Sequence, residues 1–187
     1  MPKHQTKTIA AMPWRVPVAV EDVAETGQHF ALAAGAEERA SVAQMVGLRD
    51  LPRLEAELDV KRHGAGGLRV TGRVSATVGQ TCVVTLEPLT NEVEEDVDLV
   101  FLPATAAAPQ AGEDAEEREP REPKWDDPEP LVGGAVDLGA LTTEFLILGL
   151  DPYPRKPGAV FEAPQQAEPD AGPFAALASL TKDRHGD

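Results

Sequence analysis

The chain has 187 residues and a formal net charge of −15, so its length predicts one domain with additional irregular segments. An acidic surface repels phosphate backbones and attracts basic proteins, which disfavours extensive nucleic-acid binding but is compatible with a local basic patch or a basic protein partner. The single cysteine excludes an intramolecular disulfide and a cysteine-rich zinc site.

The first part of the chain predicts two short strands and a helix. Residues 14–20 alternate apolar and other side chains, and Pro17 indicates an edge strand because proline cannot donate to a ladder. A second short strand is expected over 28–33. Residues 36–47 predict a helix that ends at Gly47, with its apolar face formed by small and aliphatic residues, namely Ala36, Ala40, Ala43 and Val46.

The pattern then changes to a period of two residues, which is typical of strands with one buried face. We expect four successive strands separated by short turns, over residues 54–61, 68–78, 81–88 and 93–101. Short connections favour an antiparallel meander. The predicted fold class is therefore α+β, with an antiparallel β-meander sheet or a partly open barrel packed by one or two helices.

Residues 103–130 form an acidic, proline-rich insert with few apolar side chains, a composition that predicts a long disordered loop. A second helix is expected after it, from an N-cap at Asp137 to the Asp151-Pro152 pair. Its predicted apolar stripe consists of Leu138, Leu141, Phe145 and Leu148. The predicted organisation is one domain over 1–160 and a flexible tail over 161–187, within which residues around Phe174 can form a short helix.

Little in the sequence predicts catalysis or a cofactor. The glycines of "GAGG" (64–67) lie between two predicted strands, which is the wrong context for a phosphate loop, and no two of the four histidines have ligand spacing. We therefore expect no enzyme, catalytic residue, metal or cofactor. For Cys82 a small buried hydrophobic side chain is favoured over a reactive thiol, because its neighbourhood is acidic.

Two basic groups are candidate partner-binding residues. Arg69 and Arg73 share the polar face of a predicted strand, where they can form a small basic patch or pair with Glu55 and Glu57 of the preceding strand. Tyr153, Arg155 and Lys156 follow the second helix within "YPRKPG", where positive charge offsets the helix dipole and the prolines favour an extended shape. These residues can contact a phosphate or a protein, or can simply terminate the helix.

Two stretches, "CVVTLEPLTNEVEEDVDLVF" and "VDLGALTTEFLILGLDPYPRKPG", resemble the YceD family of bacterial large ribosomal RNA accumulation proteins. The resemblance extends over about residues 14–160. The first family motif is matched by Cys82, Leu86 and Pro88, and the second by Asp137 to Gly139. Thr85 occupies the position at which many members carry a second cysteine, so no Cys-x-x-Cys metal site is available here.

The resemblance implies a role in the synthesis, processing or accumulation of 23S ribosomal RNA, without a catalytic mechanism. Combined with the acidic charge, it predicts a non-enzymatic ribosome-biogenesis factor that contacts a ribosome-assembly or RNA-processing protein, with any rRNA contact local. One alternative is an acidic chaperone-like protein for a basic ribosomal protein. The other is a metal-dependent hydrolase or nuclease built from clustered acids.

The location is also an expectation. The start of the chain lacks the apolar stretch of a signal peptide, and no segment approaches the ~20 apolar residues of a membrane span. We expect a soluble cytoplasmic protein, with no membrane partner and no small-molecule substrate.

Overall fold

A computed structural model describes residues 12–64, 66–103 and 128–161. In chain order the elements are β1 (Pro17–Ala19), β2 (Gln28–Ala33), α1 (Ala36–Val46), β3 (Asp50–His63), β4 (Gly67–Thr81), β5 (Pro88–Pro103), β6 (Glu129–Leu131), β7 (Ala135–Asp137) and α2 (Leu138–Gly149). Short 3₁₀ turns follow β1 and β6. The α+β prediction is confirmed.

The main sheet has five strands in the order β2-β3-β4-β5-β6 and is not closed into a barrel. The first four are antiparallel neighbours, and β6 runs parallel to β5 through the pairing of Phe101 with Glu129. β1 and β7 form a separate two-stranded antiparallel ladder, in which Pro17 lies opposite Asp137. Pro17 thus lies in an edge strand, as its missing N–H predicts.

Strict alternation divides β3, β4 and β5 into a buried face and an exposed face. α1 packs on β3, and α2 packs on β4 and β5, so both helices lie on the same apolar side. The core is almost entirely aliphatic, and its fully buried side chains include Leu54, Leu58, Leu68, Val70, Val74, Val78, Leu138 and Leu146. The opposite face, here called the outer face, is covered by charged and hydroxyl side chains.

Both helices have the ends that the sequence predicts. Gly47 adopts a left-handed conformation (φ 75°, ψ 25°) and its N–H donates to Ala43, which closes α1. The Asp137 carboxylate accepts from the Ala140 N–H at 3.2 Å, which caps α2. The predicted apolar faces are partly wrong. α1 buries Val42 and Ala43 while Ala36 and Ala40 are exposed.

In α2 the stripe is displaced at its C-terminal end. Leu146 is fully buried, whereas Leu148 is 74% exposed. The reason is that the residues of α2 that face the core follow the position of β4 and β5, which α2 contacts as far as Gly149 beside Val93, and not the widest apolar stripe of the isolated helix.

The predicted strand over 81–88 is wrong. β4 continues to Thr81, residues 82–87 form a turn, and β5 already begins at Pro88, so the expected turn over 89–92 lies inside a strand. The turn is closed by two backbone hydrogen bonds of 2.9 Å, from Cys82 N to Glu87 O and from Leu86 N to Cys82 O. Leu86 has a positive φ of 59° and is 77% exposed, so it does not share a buried face with Cys82.

Residues at both ends of the predicted insert, 103–130, belong to strands. Pro103 ends β5, and Glu129–Leu131 pairs with that end as β6. The disorder predicted between these points falls on residues 104–127, which lie outside the described residues, as does the tail from 162 onward. The division at residue 160 stays a prediction.

Candidate functional site

Each of the two candidate arginines on the outer face is engaged by an acid of β5. Arg69 forms a two-pronged pair with Asp98, with Nε–Oδ1 at 2.9 Å and Nη2–Oδ2 at 2.8 Å. Arg73 Nε lies 2.9 Å from Asp96, and its Nη1 is 3.8 Å from Glu94. The side chains of Arg69 and Arg73 are half exposed or more. Such pairs stabilise a fold only weakly, but they occupy cations that a phosphate would otherwise meet.

The acids that pair with these arginines differ from those expected. The β3–β4 register does place Glu57 opposite Arg73, but the ion pairs go to the other neighbour, β5. Glu55 instead pairs with Arg53 at 3.2 Å, and Arg53 also reaches Glu92 at 2.8 Å. The sequence could not decide this, because an internal strand has two neighbours and the choice between them depends on side-chain reach.

A histidine on β2 extends the charge network to the edge of the outer face. His29 Nδ1 lies 3.1 Å from Asp59 and Nε2 lies 2.8 Å from Glu57. Hydrogen bonds to Asp59 and to Glu57 raise the pKa of His29 above its ordinary value of 6.5. On β5, the guanidinium of Arg69 holds the pKa of Asp98 below its usual range.

The second candidate group belongs to an extended segment, residues 151–157, here called the strap. The strap is tied to the end of β4 and to the turn that follows it. Gln80 Nε2 donates to Asp151 O at 2.9 Å, and Val83 N donates to Pro154 O at 2.9 Å. Lys156 Nζ pairs with Glu87 at 2.9 Å, while Tyr153 is 70% exposed and Arg155 is exposed.

Cys82 lies at the junction of the turn and the strap. Its residue is 0% exposed, which confirms burial, but its sulfur is not merely packed. Sγ accepts the backbone N–H of Lys156 at 3.3 Å and that of Thr85 at 3.4 Å. The Lys156 N–H, followed by donors from Thr85, lowers the pKa of Cys82 from 9.0 to about 6. Acidic neighbours in the sequence gave no sign of this, because the donors are backbone groups.

The two candidate groups are not brought together. Arg69 lies near the first residue of β4, and Cys82 follows its last residue. At about 3.3 Å per residue, the thirteen steps from Arg69 to Cys82 correspond to roughly 40 Å along the strand. The outer-face arginines and the strap therefore form two separate surfaces.

A third surface was missed by the sequence reasoning. A groove with a volume of about 360 Å³, here called the α2 groove, lies between α2, the β1–β7 ladder and β6. Its apolar wall includes Pro17, Phe101, Pro130, Val136 and Leu141. One feature of the sequence indicates this groove. Glu144 is the only charged residue of the otherwise uncharged α2, and it lines the groove.

The polar groups of the α2 groove carry a net negative charge. Arg15 Nε is paired with Asp137 at 3.0 Å, so that cation is neutralised. Burial, together with the nearby carboxylate of Glu129, raises the pKa of Glu144 above its ordinary value. Among the described residues that line the groove, Arg15 is the only cation.

The described ranges contain no cluster of three or more His, Cys, Asp or Glu side chains able to hold a metal ion. Within the same ranges, no helix has both the length and the apolar character needed to cross a membrane.

These features define a class of protein: an acidic α+β protein whose open sheet exposes one charged face and packs two helices on the other. Within that class the chain belongs to the YceD family. The family model described as "Large ribosomal RNA subunit accumulation protein YceD" matches residues 70–181, more than half of the chain. No curated protein and no solved structure matches the chain.

The family match confirms the resemblance and links the chain to ribosome biogenesis through the family's description. It covers both motifs, around Cys82 and around Asp137, together with the strap. It begins at β4 and extends into the tail, so its range is shifted toward the C-terminus relative to the expected 14–160.

Proposed function

We propose that this protein is a non-enzymatic factor that promotes the accumulation of 23S ribosomal RNA, and so the biogenesis of the large subunit, by contacting proteins. The family description supports the connection with ribosomal RNA. The charge of −15 supports protein contacts over extensive RNA contacts, because nucleic-acid affinity depends on free Lys and Arg side chains.

The observation that carries this proposal is the state of the outer face. Both β4 arginines are already held by carboxylates of β5. Acids outnumber bases on the central strands of this face, where Glu55, Glu57, Asp59, Glu92, Glu94, Asp96 and Asp98 accompany Arg53, Lys61, Arg69 and Arg73. A phosphate approaching this face would have to displace a carboxylate from each arginine and would meet further acids around it.

The strap is the proposed place for a local contact. Tyr153 and Arg155 are exposed, and the strap is fixed next to them because the carbonyl groups of Asp151 and Pro154 accept hydrogen bonds from β4 and from the Cys82 turn. An exposed aromatic ring beside a cation on an extended segment suits a ribosome-assembly or RNA-processing protein and could also stack on a single unpaired base. The proposed cellular location is the cytoplasm, where ribosomes are assembled.

The test is complementation in a bacterial strain that lacks the gene, with the ratio of 23S to 16S rRNA as the readout. The wild-type chain should restore a lowered ratio. The Arg69→Ala/Arg73→Ala variant should restore it equally, because these arginines are engaged within the sheet, whereas Tyr153→Ala/Arg155→Ala should restore it less. Full restoration by the strap variant together with failure of the sheet variant would overturn the assignment of surfaces.

A second candidate function is an acidic chaperone for a basic ribosomal protein, in which the insert around residues 106–124 covers the partner's RNA-binding surface. It is favoured by the composition of that segment, which has six acids and three bases. Deleting residues 106–124 separates the two proposals. Unchanged partner binding and unchanged rRNA ratio in that variant would dismiss the chaperone function.

The enzyme alternative is tested independently. Purified protein incubated with precursor ribosomal RNA and magnesium should leave the RNA intact. Specific cleavage would replace the proposed function by a metal-dependent nuclease.

A further inference from the structure

The α2 groove has the shape and charge of a site for part of another chain. Its apolar wall includes Phe101 on β5 and Leu141 on α2, and Val132, which also lines it, is 79% exposed. A volume of about 360 Å³ lies at the lower end of the range of ligand pockets, which suits one or two side chains better than a large cofactor.

The charge of the groove selects the kind of side chain. Glu144 lines the wall and is close enough to Glu129 for the two carboxylates to repel each other. Glu129 pairs with Phe101, which places Glu129 beside the part of the wall that Phe101 forms. Arg15 does not supply the missing positive charge, because Asp137 holds it at 3.0 Å. A lysine or arginine entering the groove would relieve the repulsion.

The backbone around the groove favours an extended occupant. β6 is the last strand of the main sheet and has β5 as its partner, and the β1–β7 ladder has only two strands, within the part of the chain that is described. β6 and β1 are three residues long and contain Pro130 and Pro17, which have no N–H, so an extended segment would pair with their carbonyl groups and remaining N–H groups while its alternate side chains enter the neighbouring pocket.

We propose that the α2 groove binds an extended segment, rich in lysine or arginine and carrying apolar side chains between them, from a basic partner protein, and that Glu144 receives one of its cations. The inference rests on the proposed function, for which it names the docking surface and the chemistry of the partner.

The first test is a titration of the full-length, ¹⁵N-labelled protein with a defined probe, an acetylated and amidated seven-residue peptide that alternates valine and lysine. The amide signals of Val132 and Ala140, at the rim and on α2, should shift in a saturable manner. The matched peptide with glutamine in place of lysine should bind about five-fold more weakly, the upper end of what the loss of an exposed ion pair costs.

Variants of the protein locate the cation. Glu144→Gln should weaken binding of the lysine peptide by about five-fold and abolish its preference over the glutamine peptide. Glu94→Gln, which removes an exposed acid on the outer face, should leave binding unchanged. Equal binding of both peptides, equal binding by Glu144→Gln, or shifts confined to the outer face would each overturn the proposal.

The chain's own insert is the competing occupant, because it leaves β5 at Pro103 and returns at Pro128, beside the groove, and it contains Arg118, Arg121 and Lys124. The titration is repeated with these three residues replaced by glutamine. Binding of the lysine peptide by the unmodified protein supports a partner protein. Binding only by the triple variant would overturn that assignment and give the groove to the insert.

The docking role of the α2 groove and the proposed role in ribosome biogenesis can fail independently of each other. If strains without the gene keep a normal ratio of 23S to 16S rRNA, the biogenesis role fails while the peptide titrations still decide the groove. If the strain is defective but Glu144→Lys restores it as well as Glu94→Lys does, the groove is not the docking surface, and the biogenesis role stands.

Discussion

A proline at position 156 should change the acidity of a thiol 74 residues earlier in the chain. Lys156→Pro removes the backbone N–H that donates to Cys82 Sγ at 3.3 Å, and proline is compatible with an extended strap. Lys156→Gln is the matched control. It keeps this N–H but removes the 2.9 Å ion pair between the lysine and Glu87, so any difference between the two variants belongs to the backbone donor.

The size of the effect follows from the pKa of Cys82, which is about 6 in the folded protein. At pH 7 the group is then about 90% thiolate, against about 1% at its ordinary pKa of 9.0. In Lys156→Pro the midpoint should rise by about one pH unit or more, and the N–H of Thr85 at 3.4 Å should prevent a full return to the ordinary value. Because the folded pKa is lowered, the thiolate's contribution to stability is present above the unfolded pKa and is lost as pH falls through 6.

The assay is thiolate absorbance at 240 nm during a pH titration, with Cys82→Ser as the blank, and the single cysteine makes the signal unambiguous. Labelling by a thiol reagent at pH 7 should still be slow in the native protein, since Cys82 is fully buried and the strap must detach first. A native midpoint above 8, or the same midpoint in the proline and glutamine variants, would refute the role given to the backbone donors.

Three further changes test the fold and its charges. Asp137→Ala should lower the free energy of unfolding in urea by about 2–4 kcal/mol, because it removes the cap of α2 and the hydrogen bond that the Asp137 carboxylate accepts from the Val16 N–H. The pKa of Asp137 is lowered in the folded protein, so this stabilisation should be lost in the wild type as pH falls below about 4. Gly72→Ala should reduce the stability of the fold by at least about 3 kcal/mol, because the φ of Gly72 is +148° and a Cβ there would collide with the Glu57 carbonyl. Gly133→Ala is the control, because there is open space around Gly133, and it should reduce stability clearly less. The midpoint of thermal unfolding compares the two variants. NMR titration of His29 should give a midpoint above 6.5, and its stabilising effect should be present below that value and disappear as pH rises through the folded pKa.

The parts of the fold that the sequence predicts well are those decided by local pattern. β3 and β4 alternate strictly over their central residues because one face is buried under helices. α2 follows its N-cap Asp137 and ends at Gly149, just before the Asp151-Pro152 pair, because these residues satisfy or block backbone hydrogen bonds. The Cys82 turn could not be predicted in this way. Its apolar spacing is that of a strand, and its stability depends on a strap that is distant in sequence.

The same distinction applies to the surfaces. The alternating pattern of β4 correctly predicts that Arg69 and Arg73 lie on its polar face. It cannot predict their ion pairs with Asp98 and Asp96, because these depend on which neighbouring strand each side chain reaches. The α2 groove requires β6 to return beside β5, a parallel pairing of three residues for which no periodicity exists in the sequence. The one residue in the sequence that indicates the α2 groove is Glu144, the single charged residue of α2.

Crosslinking in growing cells shows directly whether the protein works by contacting proteins or through an extended RNA-binding surface. Photoreactive residues would replace Ala140 in the α2 groove and Thr71 on the outer face, between the two arginines, and the adducts would be scored for protein and for RNA. The account predicts a defined adduct with a basic protein at position 140 and no 23S rRNA adduct at position 71. A 23S rRNA adduct at position 71 that disappears in Arg69→Ala/Arg73→Ala would contradict it.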